Sequence, residues 1–335
     1  MKALSVCCLG LILVLWTASA VPLRAAEKPA KRIPVIFDTD IGDDIDDTWA
    51  LVMLLKSPRL DVKLITTTCH SSAGRGKLVA KLLTVAGRTD IPIGLGPGAE
   101  GKTRQDDWTE GFSMDEYAGK VFADGAQAII DTIRTGKRPI TVVAVGPLQT
   151  LSAALGKDPT IAAKASFVGM HGSVYRGYGG SPEVSAEYNV RRDAPAARRV
   201  LSAPWRKITI TPLDTCGLVH LEGQRFAALK KSDDPMVRAL LENYAIWADK
   251  KGRVAELTGS STLFDTVGIY LAYPGPKRLA ALEALTITVT DDGYTRIDPA
   301  GTKMSVATSW TNLDGYRDLL VRVLTSPTTP KQPAE

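Results

Sequence analysis

Six aspartates fall within ten residues near the start of this 335-residue chain, at positions 38, 40, 43, 44, 46 and 47. Apolar runs precede and follow the segment, so part of it is expected to be buried. Carboxylates this close repel one another, and burial adds a desolvation cost, so they must take up protons or share a cation. Attraction to a helix N-terminus explains one or two of these acids but not six. The cluster therefore predicts a metal site.

The ligand chemistry of the cluster narrows the choice of metal. Neither His nor Cys interrupts it, and oxygen-only ligands favour a hard ion, Ca²⁺ or Mg²⁺, over zinc. An EF-hand loop is excluded, because it needs glycine in sixth place and Gly42 is fifth when counted from Asp38. A phosphatase of the haloacid dehalogenase type, with Asp38 as nucleophile, stays open as an alternative, although Gly42 stands where that pattern has Thr or Val.

The elements that must position these acids follow from an alternation of short apolar runs and helical patterns. Strands are predicted at residues 34–37, 62–67, 91–94, 140–145, 167–170 and 208–211, and helices at residues 48–56, 77–86, 125–134, 148–155 and 194–201. This alternation predicts a single α/β domain, a mostly parallel sheet flanked by helices, over residues 27–325. Ligands of such sheets bind beyond the carboxyl ends of the strands, where Asp38 and Asp40 fall.

Further elements are expected in the last third of the chain. Helical patterns cover residues 234–250, 263–273 and 314–324, and a hairpin is predicted to pair residues 285–290 with 294–297 across an Asp-Gly turn. Residues 326–335, rich in Pro, Thr and Lys, are predicted to form a disordered tail.

The N-terminus has the three parts of a secretory signal peptide. A positive start is followed by an apolar run over residues 3–16, and small residues offer cleavage after Ala20 or Ala26. We therefore predict a signal peptide over residues 1–26, export to the periplasm or the extracellular space, and no stable membrane span in the mature protein.

The overall composition is that of a globular protein, with 44% hydrophobic and 23% charged residues and a net charge of +5. No block of like charges, and no alternation of aromatic with basic residues, indicates a nucleic-acid partner. Beyond the predicted signal peptide, Cys69 and Cys216 are too few for a disulfide framework, and whether they pair stays open. Assembly as a homo-oligomer also stays open.

The aspartate segment resembles the N-terminal signature of the inosine/uridine-preferring nucleoside hydrolases, which open with Asp-x-Asp-Pro-Gly and carry an Asp-Asp pair at the start of a helix. Here Asp38-Thr39-Asp40-Ile41-Gly42 is followed by the pair Asp46-Asp47, with two extra residues before it. Between residues 33 and 274, further segments in the family's order are similar: Leu64-Ile65-Thr66-Thr67, Gly87-Arg88-Thr89-Asp90-Ile91-Pro92-Ile93, Val143-Ala144-Val145-Gly146-Pro147-Leu148, Ala186-Glu187-Tyr188-Asn189-Val190 and Leu263-Phe264-Asp265.

The resemblance implies a calcium-dependent hydrolase that cleaves the N-glycosidic bond of a ribonucleoside or a related N-riboside. It implies that Asp40 ligates Ca²⁺ and takes the proton of a water on the metal. Asp47, Asp265 and the main-chain oxygen of Val145 would be the other protein ligands. This agrees with the chemistry, because a divalent cation lowers the pKa of a water and a neighbouring carboxylate accepts its proton.

The resemblance also implies which residues hold the small-molecule substrate. Asp46 and Asn189 would bind the ribose 2′- and 3′-hydroxyls, and Glu187 the 5′-hydroxyl end. Asp38 would support the loop that carries the metal ligands without touching the metal itself. We assign the same supporting role to Asp44.

One position departs from the family's pattern in a way that bears on the leaving base. Phe264 stands where the family places a His that protonates the base. Stacking on aromatic side chains, with Phe264, Trp247 and Tyr244 as candidates, would assist departure instead. The rival hypothesis is a proton from His70 or His171, of which His171 follows a predicted strand at its carboxyl end.

Three classes of function are therefore compatible with the sequence. The first is a hydrolase of N-ribosides. The second is a Mg²⁺-dependent, phosphatase-like hydrolase, and the third is a non-catalytic nucleoside- or sugar-binding protein with an inherited metal site. Their products separate them: ribose and base, inorganic phosphate, or none.

Overall fold

The computed structural model describes residues 31–98, 101–273, 275 and 278–327. The predicted signal peptide and residues 328–335 of the predicted tail lie outside this part of the chain.

The described residues from Arg32 onward belong to one unit, built from the following strands and helices. The strands are β1 Ile33–Thr39, β2 Leu60–Thr67, β3 Ile93–Gly94, β4 Val121–Phe122, β5 Ile140–Ala144, β6 Ala165–Met170, β7 Ile208–Thr211, β8 Ala280–Val289, β9 Thr295–Ile297 and β10 Thr302–Trp310. The helices are α1 Asp46–Lys56, α2 Ser72–Val85, α3 Gly125–Thr135, α4 Gln149–Lys157, α5 Tyr188–Arg192, α6 Ala194–Leu201, α7 Leu213–Cys216, α8 Gly223–Lys230, α9 Pro235–Trp247, α10 Thr266–Ala272 and α11 Leu313–Thr325.

The described strands form one sheet in the order β4-β3-β2-β1-β5-β6-β7-β10-β8-β9. Neighbouring strands run parallel from β4 to β10, and β8 and β9 continue the sheet antiparallel. The carboxyl ends of the parallel strands therefore meet along one edge of the sheet. The chain is an α/β domain with a mostly parallel sheet flanked by helices, which confirms the predicted fold class.

Two apolar cores cover the two faces of the sheet, and the alternation of side chains along each strand divides residues between them. In β1, Val35 and Phe37 face the core that contains α1, α2, α9, α10 and α11, whereas Ile36 faces the core that contains α3, α4 and α6. This arrangement explains why the central strands read as continuous apolar runs.

Helix α1 is buried along its whole length, although a surface helix would show a polar face. It packs against α9, α10 and α11 as well as the sheet. Its last residue, Lys56, is buried and pairs with Asp234 at 2.6 Å. A helix held on all sides fixes the direction of its N-terminus, where Asp46 and Asp47 lie.

The predicted strands and helices are present, α6 and β7 with the predicted boundaries and the others with shifted ones, and the structure adds elements that the pattern did not indicate. The main addition is β10, which lies between β7 and β8 inside the sheet. Cys69 and Cys216 are both buried and free, which settles their pairing. Among the described residues, no helix is long and apolar enough to cross a membrane.

Candidate active site

A pocket of about 330 Å³ opens at the carboxyl edge of the parallel strands. Seven of its lining residues are acidic, and among the described lining residues Arg104 is the one cation. The lining comprises Asp40, Asp43, Asp44, Asp46, Asp47, Arg104, Val145, Met170, Tyr178, Glu187, Tyr188, Asn189, Phe264 and Asp265.

The loop between β1 and α1 carries most of the acids. Gly42 turns this loop with a φ of +125°, a conformation that residues with a side chain rarely adopt. Thr39 fixes both ends of the turn, because its Oγ1 accepts a hydrogen bond from the Ile41 N–H at 3.1 Å and donates one to Asp47 Oδ1. As a result, Asp46 and Asp47 enter the pocket from the first turn of α1.

Three buried carboxylates meet in this pocket. Asp46, Asp47 and Asp265 each offer an oxygen, and these oxygens lie within 4.8 Å of one another. Burial raises the pKa of all three well above the usual range, and repulsion from neighbouring carboxylates, including Asp40, adds to this effect. Within the described residues, no Lys or Arg forms an ion pair with any of them. An oxygen-only donor set without a cationic partner fits a hard divalent ion.

Asp40 lies in the same pocket but outside this triplet. Burial, more than the charges of its neighbours, raises its pKa to about 6. Gly146 leaves room for it, because a Cβ at that position would lie 2.6 Å from Asp40 Oδ1. Val145 also lines the pocket, and its main-chain oxygen accepts a hydrogen bond from Asn189 Nδ2 at 2.8 Å. The predicted ligands Asp47 and Asp265 thus come together with Asp46, and Asp40 and Val145 line the same cavity.

Glu187 and Asn189 enter the pocket from the segment that begins α5. The Glu187 carboxylate caps this helix by accepting the N–H groups of Asn189 at 2.7 Å and Val190 at 3.2 Å, and it also accepts the Gly172 N–H at 3.0 Å. Burial nevertheless raises the pKa of Glu187 to about 7. The Asn189 Nδ2 donates to the carbonyls of Val145 and Met170, so the group that this side chain offers to a ligand is its oxygen.

Arg75 lies beneath the loop between β1 and α1 (residues 40–45, the aspartate loop) and was not anticipated from the sequence. Its side chain is fully buried in α2 and donates to the carbonyls of His70 at 2.6 Å and Ile41 at 2.9 Å. Its third contact is an ion pair with Asp43 at 2.7 Å. One buried guanidinium therefore offsets part of the negative charge while it holds the loop in place.

The two acids predicted to support the loop occupy different places. Asp38 is fully buried, accepts a hydrogen bond from Thr66 Oγ1 at 2.5 Å, and has its pKa raised by burial to about 7. Asp44 lines the pocket itself, and its Oδ1 accepts the N–H of Ile45 at 2.8 Å.

The aromatic residues proposed to stack on a base are only partly in position. Phe264 lines the pocket and contacts Tyr178 edge to face at 6.2 Å between ring centroids. Trp247 is not part of the lining. Its ring stacks on Tyr244 and lies under the guanidinium of Arg104, 4.9 Å from the ring centroid. Arg104, Met170 and Tyr178 also line the pocket and were not predicted as site residues, and Tyr188 was named only as part of the segment that carries Glu187 and Asn189.

His171 does not line the pocket, so the prediction that it binds substrate, and the hypothesis that it donates a proton, are wrong. The imidazole is fully buried, and its Nε2 lies 3.1 Å from the carbonyl oxygen of Gly146. Burial lowers its pKa to about 4, so it is neutral near pH 7 and has no proton to give to a base. Through Gly146 it supports the backbone on which Asp40 rests.

Because His171 is buried in its neutral form, we expect it to make the fold less stable in acid. The pKa is about 4 in the folded state and 6.5 when unfolded, so the unfolded chain binds the extra proton first. His171 therefore leaves the free energy of unfolding unchanged above pH 6.5 and lowers it by about 3 kcal/mol as the pH drops to 4. The His171→Gln variant keeps an amide donor for Gly146 and should not show this term. Urea unfolding of both proteins at pH 7 and pH 4 measures the difference, and an equal pH dependence would contradict it.

Comparison with known proteins agrees with this architecture. A family model described as inosine-uridine preferring nucleoside hydrolase matches residues 35–317. A pyrimidine-specific ribonucleoside hydrolase, RihA, from Escherichia coli is 26% identical over 224 residues, which are 63% of this chain and 70% of that protein. A probable uridine nucleosidase from Oryza sativa is 30% identical over 190 residues, 52% of this chain and 55% of the relative.

Solved structures show the same fold. A plant nucleoside hydrolase superimposes with a TM-score of 0.72 at 22% identity, covering 88% of this chain and 99% of the other. An inosine-uridine preferring nucleoside hydrolase from Bacillus anthracis superimposes with a TM-score of 0.70 at 19% identity, with the same coverage of 88% and 99%.

Proposed function

The chain belongs to the inosine-uridine preferring nucleoside hydrolase family and is an N-glycosidase, and we propose that it hydrolyses ribonucleosides or a related N-riboside with the help of a bound Ca²⁺ ion. The observation that carries this proposal is the buried triplet of Asp46, Asp47 and Asp265 in one pocket with Glu187 and Asn189. The triplet suits a hard cation, and the other two residues suit a polar ligand beside it.

The metal would be held by Asp47 and Asp265, with Asp40 and the main-chain oxygen of Val145 as further ligands. Asp46, the third member of the triplet, lies close enough to bind either the ion or a hydroxyl next to it. When bound, Ca²⁺ supplies a positive charge that lowers the pKa of a water and orients it.

The chain's own residues do the rest of the work. Asp40 accepts the proton of the attacking water, a role that suits a carboxylate lining the pocket beside Asp47 and Asp265. Asp46 and the Asn189 oxygen accept hydrogen bonds from ribose hydroxyls, which fixes the sugar relative to the water. Glu187 binds the 5′-hydroxyl end. The surrounding carboxylates favour the positive charge that develops on the sugar as the bond to the base breaks.

The phosphatase alternative is not favoured by the position of its nucleophile. Asp38 would have to attack the substrate, but it is fully buried and does not line the pocket. One of its oxygens is occupied by Thr66. A carboxylate in this place supports the loop and cannot reach a phosphate.

A panel of nucleosides tests the proposed function. The purified protein should release free ribose and base when calcium is present, and a chelator should abolish release until calcium is added back. Reducing-sugar formation and chromatography of the base measure both products. Release of inorganic phosphate from nucleotides, or saturable nucleoside binding without any turnover, would overturn the proposal.

We also propose that the protein is exported with cleavage after Ala20 or Ala26, on the strength of the N-terminal sequence pattern. N-terminal sequencing of the protein recovered from the producing cells checks this. An intact Met1 on protein found in the cytoplasm would contradict it.

A further inference from the structure

We propose that Arg104 binds the leaving base and stabilises the negative charge that the base acquires when the glycosidic bond breaks. This inference rests on the proposed function. It concerns the base, which the residues proposed to hold the metal and the ribose do not contact. It assigns to Arg104 the assistance that a histidine at position 264 would otherwise give.

The charge distribution of the pocket is the first argument. Seven carboxylates line it, and Arg104 is the single cation among the described lining residues. Asp40, Asp46, Asp47 and Asp265 surround the place where the metal and the ribose are proposed to bind. A departing base that carries electrons away from the sugar would be repelled by these acids, and Arg104 is the group in this lining that attracts it.

A rigid loop holds Arg104 at the pocket. The next residue, Gln105, is fully buried and donates from Nε2 to the Asp44 carbonyl at 2.7 Å. Its Oε1 accepts from Thr48 Oγ1 at 3.1 Å and from Asn243 Nδ2 at 2.7 Å. The loop is thereby tied to the aspartate loop, to α1 and to α9. These buried bonds fix the backbone beside Arg104, which is itself exposed and can turn its guanidinium toward a ligand.

Trp247 supports the guanidinium rather than a base. The centre of the Arg104 guanidinium lies 4.9 Å from the centroid of the Trp247 ring, a cation–π contact that fixes its orientation. Trp247 is itself fixed, because its Nε1 donates to the Asp43 carbonyl at 2.9 Å and its ring stacks on Tyr244. The contact with Trp247 therefore orients the guanidinium before any ligand arrives.

Phe264, Met170 and Tyr178, which also line the pocket, do not supply a better group. Phe264 and Met170 have no proton to donate. The Tyr178 hydroxyl accepts the N–H of Tyr188 at 2.9 Å, and burial, more than the nearby charge of Glu187, raises its pKa above the usual range. A weaker acid is a poorer donor to the base. Arg104 differs from these groups because its guanidinium brings a positive charge and several N–H donors.

The reaction balances without a proton from the enzyme to the base. The bond between C1′ and the base nitrogen breaks, and its electron pair stays on the base. The water oxygen forms the new bond to C1′, and the water's proton passes to Asp40. The base leaves as an anion paired with Arg104 and takes a proton from solvent after release.

This mechanism selects a class of substrate. A base that carries carbonyl oxygens places the negative charge on them, and a guanidinium binds such oxygens with two parallel donors. Amino-substituted bases present donors that the arginine repels. The family is described as preferring inosine and uridine, whose bases are hypoxanthine and uracil, and Arg104 would account for such a preference over cytosine and adenine in this chain.

Kinetics of the Arg104→Gln and Arg104→Lys variants test the inference against an Arg253→Gln control, which removes a surface arginine paired with Glu256. Arg104→Gln should lower kcat on uridine by about 10²-fold and lose the preference for uridine over cytidine. Arg104→Lys should keep part of both. The kcat of Arg104→Gln on a nitrophenyl riboside should fall by less than about threefold, because nitrophenolate is already a stable anion.

A binding experiment separates this inference from the proposed function. The free base 5-nitrouracil, which has an acidic N–H, should bind the wild-type protein and Arg253→Gln alike, and should bind Arg104→Gln at least about tenfold more weakly. Equal binding by all three proteins, or an equal loss of rate on uridine and the nitrophenyl riboside, would overturn the role of Arg104. If the wild-type protein hydrolyses nothing with calcium bound, the proposed function fails while the binding result still decides the site.

Discussion

Replacing Asp47 by asparagine is expected to remove bound calcium and to lower nucleoside hydrolysis by at least about 10³-fold, since a catalytic metal contributes several kcal/mol to the transition state. Asp47 is buried and shares the carboxylate triplet with Asp46 and Asp265. Asparagine has nearly the same shape and still accepts the hydrogen bond from Thr39. The loss would therefore come from the missing charge and not from a collapsed loop. Elemental analysis and initial rates measure the two effects.

The same variant should be more stable than the wild-type protein when no metal is bound. The pKa of Asp47 is raised by burial and by Asp40 and Asp46, so an ionised carboxylate there destabilises the metal-free fold. Calcium should reverse the order by raising the melting temperature of the wild-type protein alone. Asp61→Asn, at an exposed pair with Lys63, is the matched control. A variant that keeps calcium and full activity would refute the ligand assignment.

Replacing Asp40 by asparagine is expected to lower kcat by about 10²- to 10⁴-fold, the usual contribution of a general base. Asp40 lies outside the triplet, so this variant should still take up calcium, although more weakly than the wild-type protein. The pH profile gives a second measure. The wild-type rate should fall on the acid side at or below about pH 6, because the bound cation favours the carboxylate, and Asp40→Asn should lack this limb.

Calorimetric titration with calcium and pH–rate profiles distinguish this role from a purely structural one. Asp61→Asn should behave as the wild-type protein in both. A full loss of calcium binding in Asp40→Asn would make Asp40 a principal ligand, and an unchanged acid limb would assign the proton transfer to another group.

The strands that position the site were predictable because of where they lie in the fold. β1, β5 and β6 are covered on both faces, and this requirement produces uninterrupted apolar runs such as Val35, Ile36 and Phe37. β10 lacks that signal. Lys303 and Ser305 alternate with the buried Met304 and Val306, and the parallel partner β7 lies about ninety residues earlier in the chain. Local patterns do not reveal such a pairing.

The residues of the site were likewise predictable only in part. Asp46 and Asp47 were found because their charges crowd together in sequence, whereas Asp265 entered only through resemblance to a family. Arg75 reads as an ordinary surface arginine of α2, and only the fold shows that it is fully buried. Arg104 owes its place to buried contacts of Gln105 with three distant segments, which no spacing rule encodes.

The position of β10 has a consequence for how the chain folds. β10 pairs with β7 on one side and β8 on the other, yet it spans residues Thr302–Trp310 of a chain of 335. Until those residues are available, β7 exposes an unpaired edge, and such edges are templates for aggregation. Pairing across so many residues is also slow, because a long loop must close before any contact forms. Nascent chains that stop before Thr302 should therefore be clients of chaperones rather than stable, partly folded hydrolases.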